Sequence, residues 1–492
     1  MRILVPQILS KAYQKIFANR PNSMDIVFYS AILLFCYFVF NQADILHTAG
    51  SSFTYLNGHI KDFYDVNKRL LGETVYLPST YMLFAAWNIP VKLLGITNQT
   101  TMDVGYLIFW YKLLTSLFFF GSSWLMYKIG KLIGLNKANA ILLTIIWISS
   151  PILFFNQFVF GQYDIFCTFF VLLGMYYFLK KSIWMSILFF GISFTFKYFP
   201  VFIFIPLIML VEKNPRKILL YAILAFLPTV MQVLFYIDSA AFRTGVIEFG
   251  ATIPRLTTAL INVWPGLNIY IFLASWFVIC GICYYADIME DKNKFYQSVF
   301  YVCLAVSCFL FTFVLWHPQW LIFITPFLAV TTFMNRKIKE FLFFDFIMMI
   351  AFIGFTVTNW QMNADQQMFM LGVLGKCNPR LFDPQTTLRM SKMFILGSNM
   401  YLTLFSSMLM LNVLCKFPNK TNRWSGDDNL VKVDTYWNYA RLRFIGGIAI
   451  FLIPAFVSFF YALRPESPLK NISNSYDTIH NSLKHLAEDT KV

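Results

Sequence analysis

Long apolar runs recur along the whole chain, and they constrain its fold more than any other feature of the sequence. Each run has about 15–24 residues, near the length that an α-helix needs to cross a hydrocarbon core of about 30 Å. Only 13% of the 492 residues are charged and 58% are hydrophobic, whereas about 25% of the residues in a soluble domain are charged. So few charges could not cover the surface of a soluble protein of this size. The chain is therefore predicted to be an all-α, polytopic membrane protein.

The predicted spans number about thirteen and are separated by polar turns. A basic N-terminal stretch precedes the first span and is predicted to form a short interfacial helix on the cytoplasmic face. One apolar stretch, 79–95, allows two interpretations, because it could be a thin span or a helix that lies in the outer interface. The predicted spans are 26–40, 105–127, 139–155, 164–179, 183–196, 199–211, 218–237, 267–286, 296–315, 320–334, 341–359, 392–414 and 442–462.

The positions of the basic residues decide between the two interpretations, because cytoplasmic loops carry an excess of Lys and Arg. If 79–95 spans, the basic loop 128–138 faces outside and every later loop flips with it. If it does not span, all the basic clusters become cytoplasmic. The net charge of +15 then belongs mostly to loops on one side of the membrane, so it does not indicate nucleic-acid binding. We therefore expect an external loop over 41–104, a cytoplasmic N-terminus and an external C-terminus. The clusters are Lys128, Lys131 and Lys137; Lys180 and Lys181; Lys213, Arg216 and Lys217; Lys292 and Lys294; and Arg336, Lys337 and Lys339.

Acidic and amide side chains beside two spans are candidates for chemistry, because ionisable residues in or next to a span are costly and usually functional. Asp44 follows the first span, where a carboxylate in a partly dry pocket can act as general base on an incoming hydroxyl. The alternative is an ordinary solvated acid. Gln162 and Asp164 open a later span within the sequence GQYD and are predicted to line a cavity. The alternative for Asp164 is a helix cap.

Basic side chains occur at the same level of other predicted spans. Lys197 lies between two short spans, so a buried ammonium there needs an anionic partner, either a ligand phosphate or Asp164. The alternative is a lysine that extends to the outer interface. His317 lies in the sequence WHPQW together with Gln319, and imidazole can donate to a phosphate oxygen or carry a proton. A single interfacial histidine is also often structural.

Two arginines, Arg243 and Arg255, lie in the predicted external loop 238–266. Guanidinium groups suit phosphate, although loop arginines are usually solvated. One carboxylate and several cations are thus expected at the level of the lipid headgroups. This combination suits a lipid-linked phosphate ester whose leaving group stays at the interface.

The order and spacing of these motifs resemble the GT-C superfamily of integral-membrane glycosyltransferases, which use polyprenyl-phosphate sugars. Asp44, followed by Tyr76–Leu77–Pro78, is similar to the family's first-loop acid and its Tyr-Pro element. Residues 161–210 look most like the catalytic subunit of GPI mannosyltransferase I. Residues 316–330 resemble the His-containing span opening of the asparagine-linked-glycosylation glucosyltransferases.

Two departures from these patterns affect the predicted site. The D-x-D of the GPI enzyme is Asp44–Ile45–Leu46 in this chain, so a second acid is missing or its role has moved to Asp62 or Asp65. The His-Glu-Lys of the glucosyltransferases is His317–Pro318–Gln319 in this chain. The donor phosphate is therefore expected to depend more on other cations, such as Lys197 or Arg255.

The resemblance implies a mechanism in which Asp44 is the base of an inverting sugar transfer. It implies that Lys197, His317 and an external arginine, Arg255 or Arg243, bind the donor phosphate. It implies no nucleotide site, no cofactor and no tightly bound metal, and the sequence does not indicate a divalent ion. The implied partners are a polyprenyl-phosphate sugar donor, a lipid or glycan acceptor and membrane lipids. The predicted cavity lining is Gln162, Asp164, Tyr76 and Gln319.

Rival functions differ in what they require of the first external loop. A lipid-linked oligosaccharide flippase or polysaccharide exporter needs many spans and a basic cavity, but no acid at the end of the first span. A structural membrane subunit has no need of a long polar loop.

The predicted organisation is a GT-C-like catalytic module over 1–330, with C-terminal helices over 331–492 that bind acceptor. The expected location is the plasma membrane of a bacterium or the endoplasmic reticulum of a eukaryote.

Overall fold

A computed structural model of the chain describes residues 23–96, 107–248, 255–287, 291–333, 338–359, 393–418 and 433–462, together with residue 373. The predicted N-terminal interfacial helix and the end of the predicted C-terminal region lie outside these residues.

Helices make up most of the described chain. Its first part contains α1 (Ser23–Val39), α2 (Ala43–Ser51), α3 (Phe53–Leu56), α4 (Phe63–Leu70), α5 (Pro78–Leu93), α6 (Leu107–Leu132), α7 (Lys137–Ile148), α8 (Pro151–Phe154), a π-turn (Phe155–Val159), α9 (Ile165–Leu179), α10 (Ile183–Phe194), α11 (Phe199–Val211) and α12 (Pro215–Tyr236). Its second part contains α13 (Ala240–Phe242), a second π-turn (Arg243–Glu248), β1 (Leu260–Trp264), β2 (Leu267–Tyr270), α14 (Ile271–Tyr285), α15 (Lys292–Phe313), a 3-10 helix (Pro318–Ile324), α16 (Thr325–Phe333), α17 (Ile338–Asn359), α18 (Ser398–Cys415) and α19 (Val433–Ala462).

Several of these helices indicate an integral membrane protein. Five are long and apolar enough to cross a bilayer, namely α12, α15, α17, α18 and the part of α19 over Tyr436–Val457. Two bent helix pairs raise the number to seven if each pair is one span. In the first pair α1 is followed by Ala43–Leu56 at an angle of 70°, and in the second α7 is followed by Pro151–Val159 at 54°.

The predicted count of thirteen spans is not confirmed within the described residues. The predicted spans 164–179, 183–196 and 199–211 correspond to α9, α10 and α11, which have 15, 12 and 13 residues. Helices of this length extend only about 18–23 Å, which is less than the hydrocarbon thickness of about 30 Å. The prediction counted each apolar run as a crossing, whereas apolar runs also form short helices packed inside the bundle.

The structure also contains a β-hairpin that the all-α prediction missed. Strands β1 and β2 pair antiparallel around the turn at Pro265–Gly266. The φ angle of Gly266 is +82°, and a Pro-Gly pair at the centre of a turn with positive φ at the glycine is typical of type II. The Pro265–Gly266 pair lies at the end of the predicted external loop 238–266, and β2 begins the predicted span 267–286.

One buried and one partly buried ion pair connect the last long helix to the rest of the bundle. The guanidinium of Arg441 binds the carboxylate of Asp25 in α1 through two bonds, of 2.7 and 2.8 Å. Arg443 pairs with Asp345 in α17 at 2.6 Å and donates to the Ser149 hydroxyl at 3.0 Å. The C-terminal helices α17 and α19 therefore share one packed interior with the N-terminal helices.

Helix α5 corresponds to the ambiguous stretch 79–95. It packs against α2 and α3, and the Asn88 amide donates to the Ala49 carbonyl at 3.3 Å and the Ser52 hydroxyl at 3.1 Å. It is not among the described helices that are long and apolar enough to cross a membrane. Its interfacial position, and the orientation that follows from it, stay predictions.

Cysteine labelling tests this orientation. An impermeant thiol reagent added to intact cells or sealed vesicles should label Lys92→Cys, because α5 then lies at the outer interface. It should not label Lys131→Cys, because the exposed end of α6 is then cytoplasmic. External labelling of Lys131→Cys would reverse every loop after the first.

Candidate active site

Asp44 lies in the first turn of α2, immediately after the bend that follows α1. The polar run Asn41–Gln42 ends the apolar sequence of α1, and Gln42 is extended with φ −132° and ψ 144°, which redirects the chain. An acidic side chain in a first helical turn is stabilised by the helix dipole. Asp44 is half-buried, and its carboxylate accepts a hydrogen bond of 3.3 Å from the Tyr163 hydroxyl. The structure thus places Asp44 partly out of solvent, beside Tyr163.

The segment GQYD faces this acid across the bend. The Gln162 amide donates to the Gln42 side-chain oxygen at 2.8 Å, which joins the segment to the α1–α2 connection. The Thr48 hydroxyl, one turn after Asp44, lies 3.1 Å from the Tyr163 hydroxyl. Two contacts therefore fix the position of the segment beside the acid.

Asp164 and Lys197 form a buried ion pair. The Lys197 ammonium lies 3.1 Å from an Asp164 carboxylate oxygen, and the two side chains are only 10% and 6% exposed. Asp164 makes no side-chain hydrogen bond that would cap α9. The lysine has therefore found the protein anion that was predicted as one of its two possible partners, and it does not extend to the surface.

Three basic side chains surround the ring of Trp320. The Lys197 ammonium lies 5.9 Å and the Arg255 guanidinium carbon 5.1 Å from the ring centroid. The His317 ring packs edge-on against the same indole at 5.0 Å. A cation within about 6 Å of an aromatic face is attracted by its quadrupole. The indole therefore holds the Lys197 and Arg255 cations close together, with the His317 ring beside them.

Two tyrosines connect this basic cluster to the acid. The Lys197 ammonium lies 4.4 Å from the centroid of the Tyr76 ring, and that ring packs edge-on against Tyr163 at 5.3 Å. Tyr163 in turn donates to Asp44. Asp44 interacts electrostatically with both Lys197 and Asp164. A carboxylate and a group of cations thus lie at opposite ends of one short aromatic connection.

His317 lies between α15 and the 3-10 helix, at the ends of both. Burial, and then the positive charges of Arg255 and Lys197, lower the pKa of His317 from 6.5 to about 4. A base with a lowered pKa is neutral at every pH above that value, so at pH 7 the ligand-free imidazole carries no charge. It can still donate one N–H to an anion, and a bound phosphate would favour its protonation.

Of the remaining predicted residues, Gln319 lies beside the basic cluster and Arg243 lies apart from it. Gln319 is buried beside Trp320, and its side-chain oxygen has no hydrogen-bond partner among the described residues. Arg243 is exposed and donates to the Ile237 carbonyl at 2.7 Å, so it serves the end of α12. The contacts of the described residues do not bring Arg243 together with Lys197, Arg255 or His317.

The two acids proposed as replacements for a second catalytic carboxylate are used elsewhere. Asp62 is exposed and pairs with His59 at 2.9 Å. Asp65 accepts from the backbone N–H of Ala241 at 3.2 Å. Asp62 therefore makes its contact within the first loop, whereas Asp65 joins that loop to α13. Within the part of the chain that the structure describes, no three His, Cys, Asp or Glu side chains lie close enough to hold a metal ion.

One lysine that shapes the site was not predicted from the sequence. Lys112 is fully buried in α6, and its ammonium donates to the carbonyls of Tyr37 and Phe40 at 2.8 Å each and of Phe158 at 3.0 Å. The first two end α1, and the third belongs to the π-turn that precedes GQYD. Lys112 therefore joins the two segments that carry Asp44 and Asp164. A lysine within an apolar run was the available signal.

Gly161 completes this arrangement. Its φ angle is +67°, and a Cβ atom there would lie 3.3 Å from the Lys112 side chain. Glycine adopts such a conformation without the steric cost that other residues meet. The chain can therefore turn from the π-turn into Gln162 directly over the buried lysine.

Comparison with known families matches half of the chain to one group of enzymes. A family model described as glycosyltransferase family 87 matches residues 89–334, which is half of the chain. The match includes Gln162, Asp164, Lys197 and His317, and it leaves Asp44 outside. No curated protein and no solved structure gives a significant match to the chain.

Proposed function

The chain belongs to glycosyltransferase family 87, and from this premise we propose that it moves a monosaccharide from a polyprenyl-phosphate sugar to an acceptor hydroxyl. We place the reaction at the external or lumenal face of the membrane. The acceptor is a glycolipid, a polysaccharide or a cell-wall glycan. The resemblance of 161–210 and 316–330 to polyprenyl-phosphate-dependent enzymes supports this donor class.

One observation carries the proposal. The Asp44 carboxylate and the cluster of Lys197, Arg255 and His317 are joined through Tyr163 and Tyr76. A transfer from a sugar phosphate needs a base at the attacking hydroxyl and positive charge at the departing phosphate. Asp44 at one end can act as the base, and the basic cluster at the other end can supply the positive charge. Asp44 lies more than a hundred residues before Lys197, Arg255 and His317 in the chain.

In the proposed reaction Asp44 removes the proton from the acceptor hydroxyl as its oxygen attacks the anomeric carbon. The bond between that carbon and the phosphate oxygen breaks, and its electron pair stays on the phosphate. Attack from the opposite face inverts the configuration of the carbon. Lys197, Arg255 and the His317 N–H stabilise the charge that develops on the phosphate, and such preorganised stabilisation usually contributes more to catalysis than any other single effect. Asp44 later loses its proton to water.

The ion pair with Asp164 holds the Lys197 ammonium in place before the donor binds. A buried ammonium needs a counter-charge, and Asp164 provides it when no phosphate is present. In the proposed complex the phosphate shares the ammonium with Asp164. Gln162, Tyr76 and Gln319 complete the lining, and the C-terminal helices contribute to acceptor binding.

Release of polyprenyl phosphate from purified protein tests the proposal. The protein, reconstituted in lipid nanodiscs, is incubated with polyprenyl-phosphate monosaccharides labelled in the sugar and with a glycan extract as acceptor. One of these donors should lose its label to the acceptor while free polyprenyl phosphate appears, with Asp44→Asn protein as the background. Transfer from a nucleotide sugar without any polyprenyl carrier would contradict the proposal.

The double substitution Lys197→Met with Asp164→Asn should raise the KM for the donor by about 10- to 100-fold. Loss of a hydrogen bond to a charged group costs about 1.5–3 kcal/mol, and 1.4 kcal/mol corresponds to a factor of ten. Changing both residues avoids leaving an unpaired buried carboxylate, which would destabilise the fold. Lys180→Met, at an exposed position, is the matched control. A double variant with the donor KM of this control would remove Lys197 from the donor site.

A further inference from the structure

The β-hairpin over Leu260–Tyr270 exposes an unusual amount of apolar surface. All nine strand residues are exposed, and seven of them are Leu, Ile, Val, Trp or Tyr. Ile261 and Ile269 form a cross-strand pair and are 55% and 48% exposed, and Trp264 at the turn is 69% exposed. In water such a hairpin would be an aggregation site, because no other described strand pairs with its edges, which carry no charge.

The hairpin is continuous with a helix whose outer side is equally apolar. Strand β2 runs directly into α14, and the Ile271 N–H donates to the Ala259 carbonyl at 3.0 Å, which closes the base of the hairpin. On α14, Phe277 and Ile282 are 65% and 64% exposed. No Asp, Glu, Lys, Arg or His occurs between Arg255 and Asp287. One uncharged surface therefore extends from the middle of α14 to the tip of the hairpin.

We propose that the hairpin lies in the membrane interface on the side of the candidate active site, with lipid covering both of its faces. The hydrocarbon core is excluded, because the unpaired N–H and C=O groups of both hairpin edges need hydrogen bonds that lipid tails cannot make. Bulk water is excluded by the apolar side chains on both faces. The interface offers acyl chains to the side chains and headgroups and water to the backbone. Trp264 and Tyr270 are of the two residue types that are enriched at this level.

This location also sets the depth of the basic cluster. The Thr258 hydroxyl, at the base of the hairpin, donates to the Arg255 carbonyl at 2.8 Å, and the Arg255 guanidinium lies against Trp320. A hairpin held in the interface therefore holds Arg255 at the level of the lipid phosphates. The inference depends on the exposed surface and not on the proposed reaction, so it stands or fails independently of the glycosyltransferase assay.

Depth-dependent fluorescence quenching tests the proposal. Trp264→Cys and Val263→Cys are made in a Cys415→Ser background, labelled with the fluorophore NBD and reconstituted in vesicles that contain nitroxide lipids. The labelled Cys415→Ser parent measures the signal of the other cysteines. Lys61→Cys, exposed in the first loop, is the aqueous control, and Phe277→Cys, about 9 Å along α14, is the deep control.

The label at position 264 should emit at shorter wavelength than the label at position 61. It should be quenched more by a nitroxide near the headgroup than by one deep in the acyl chain, and Phe277→Cys should show the reverse order. Emission and iodide quenching equal to those of Lys61→Cys would place the hairpin in water and overturn the proposal. A label shielded from both iodide and nitroxide lipids would mean that protein covers the hairpin, which overturns it as well.

Discussion

Asp44→Asn should lower turnover by a factor of about 10²–10⁴, which is the usual contribution of general acid–base catalysis. Asparagine keeps the size and polarity of the side chain and can still accept the hydrogen bond that the Tyr163 hydroxyl donates at 3.3 Å. It cannot take a proton from the acceptor hydroxyl. The protein should therefore remain folded, and donor binding should survive, because the change removes a negative charge from the neighbourhood of a phosphate. Single-turnover transfer in nanodiscs measures the effect.

Asp164→Asn is the matched control for this prediction. Asp164 is a buried carboxylate in the same site, but it is paired with Lys197 at 3.1 Å, at the end of the site where the phosphate is proposed to bind. We expect its substitution to change donor affinity more than the rate of the chemical step. If Asp44→Asn keeps most of the activity, and Asp164→Asn loses it while its unfolding temperature stays that of the wild type, Asp164 is the base.

Lys112→Met should lower the free energy of unfolding by about 2–4 kcal/mol and reduce turnover in the protein that remains folded. The substitution leaves three buried carbonyl groups, of Tyr37, Phe40 and Phe158, without their donor, and each buried group without a partner costs about 1–3 kcal/mol. Removal of the desolvated ammonium offsets part of this cost. Because Lys112 joins the end of α1 to the π-turn, its loss should also let Asp44 and Asp164 move apart.

Two measurements separate these effects. Thermal unfolding in detergent reports stability, and the maximal rate of the monodisperse fraction reports the geometry of the site. Lys131→Met, on the same helix but exposed, is the control. An unfolding temperature and a rate equal to those of this control would show that Lys112 does not hold the site together.

Much of the candidate site was predictable because its residues are polar in places where the membrane disfavours polar groups. Asp44, Lys197 and His317 each interrupt or end an apolar run, and the cost of burying them indicates function. Lys112 has the same property, but its run is long enough to be counted as an ordinary span. Its three carbonyl partners lie about 46–75 positions away in the chain, so no local pattern reveals them.

The sequence predicts a helical membrane protein, but it does not predict where the helices bend or break. Hydropathy reports whether a run is apolar and not whether its helix is straight, and the bends after Val39 and Ile148 depend on polar residues and Pro151. The hairpin was missed because the prediction divided it, with β1 in the external loop 238–266 and β2 at the start of the span 267–286. Arg243 was expected near the phosphate, whereas it caps the end of α12, because proximity in a loop sequence does not fix where a long side chain points.

Glycan analysis of a deletion strain tests the central claim most directly. The strain is complemented with the wild-type gene, with Lys180→Met or with Asp44→Asn, and its cell-wall glycans and glycolipids are compared by mass spectrometry. One sugar should be missing from the deletion strain, should return with wild type and Lys180→Met, and should stay missing with Asp44→Asn at equal expression. Glycans that are unchanged by the deletion, or that Asp44→Asn fully restores, would contradict the claim that this chain transfers a sugar with Asp44 as its base. A flippase or exporter would give full restoration.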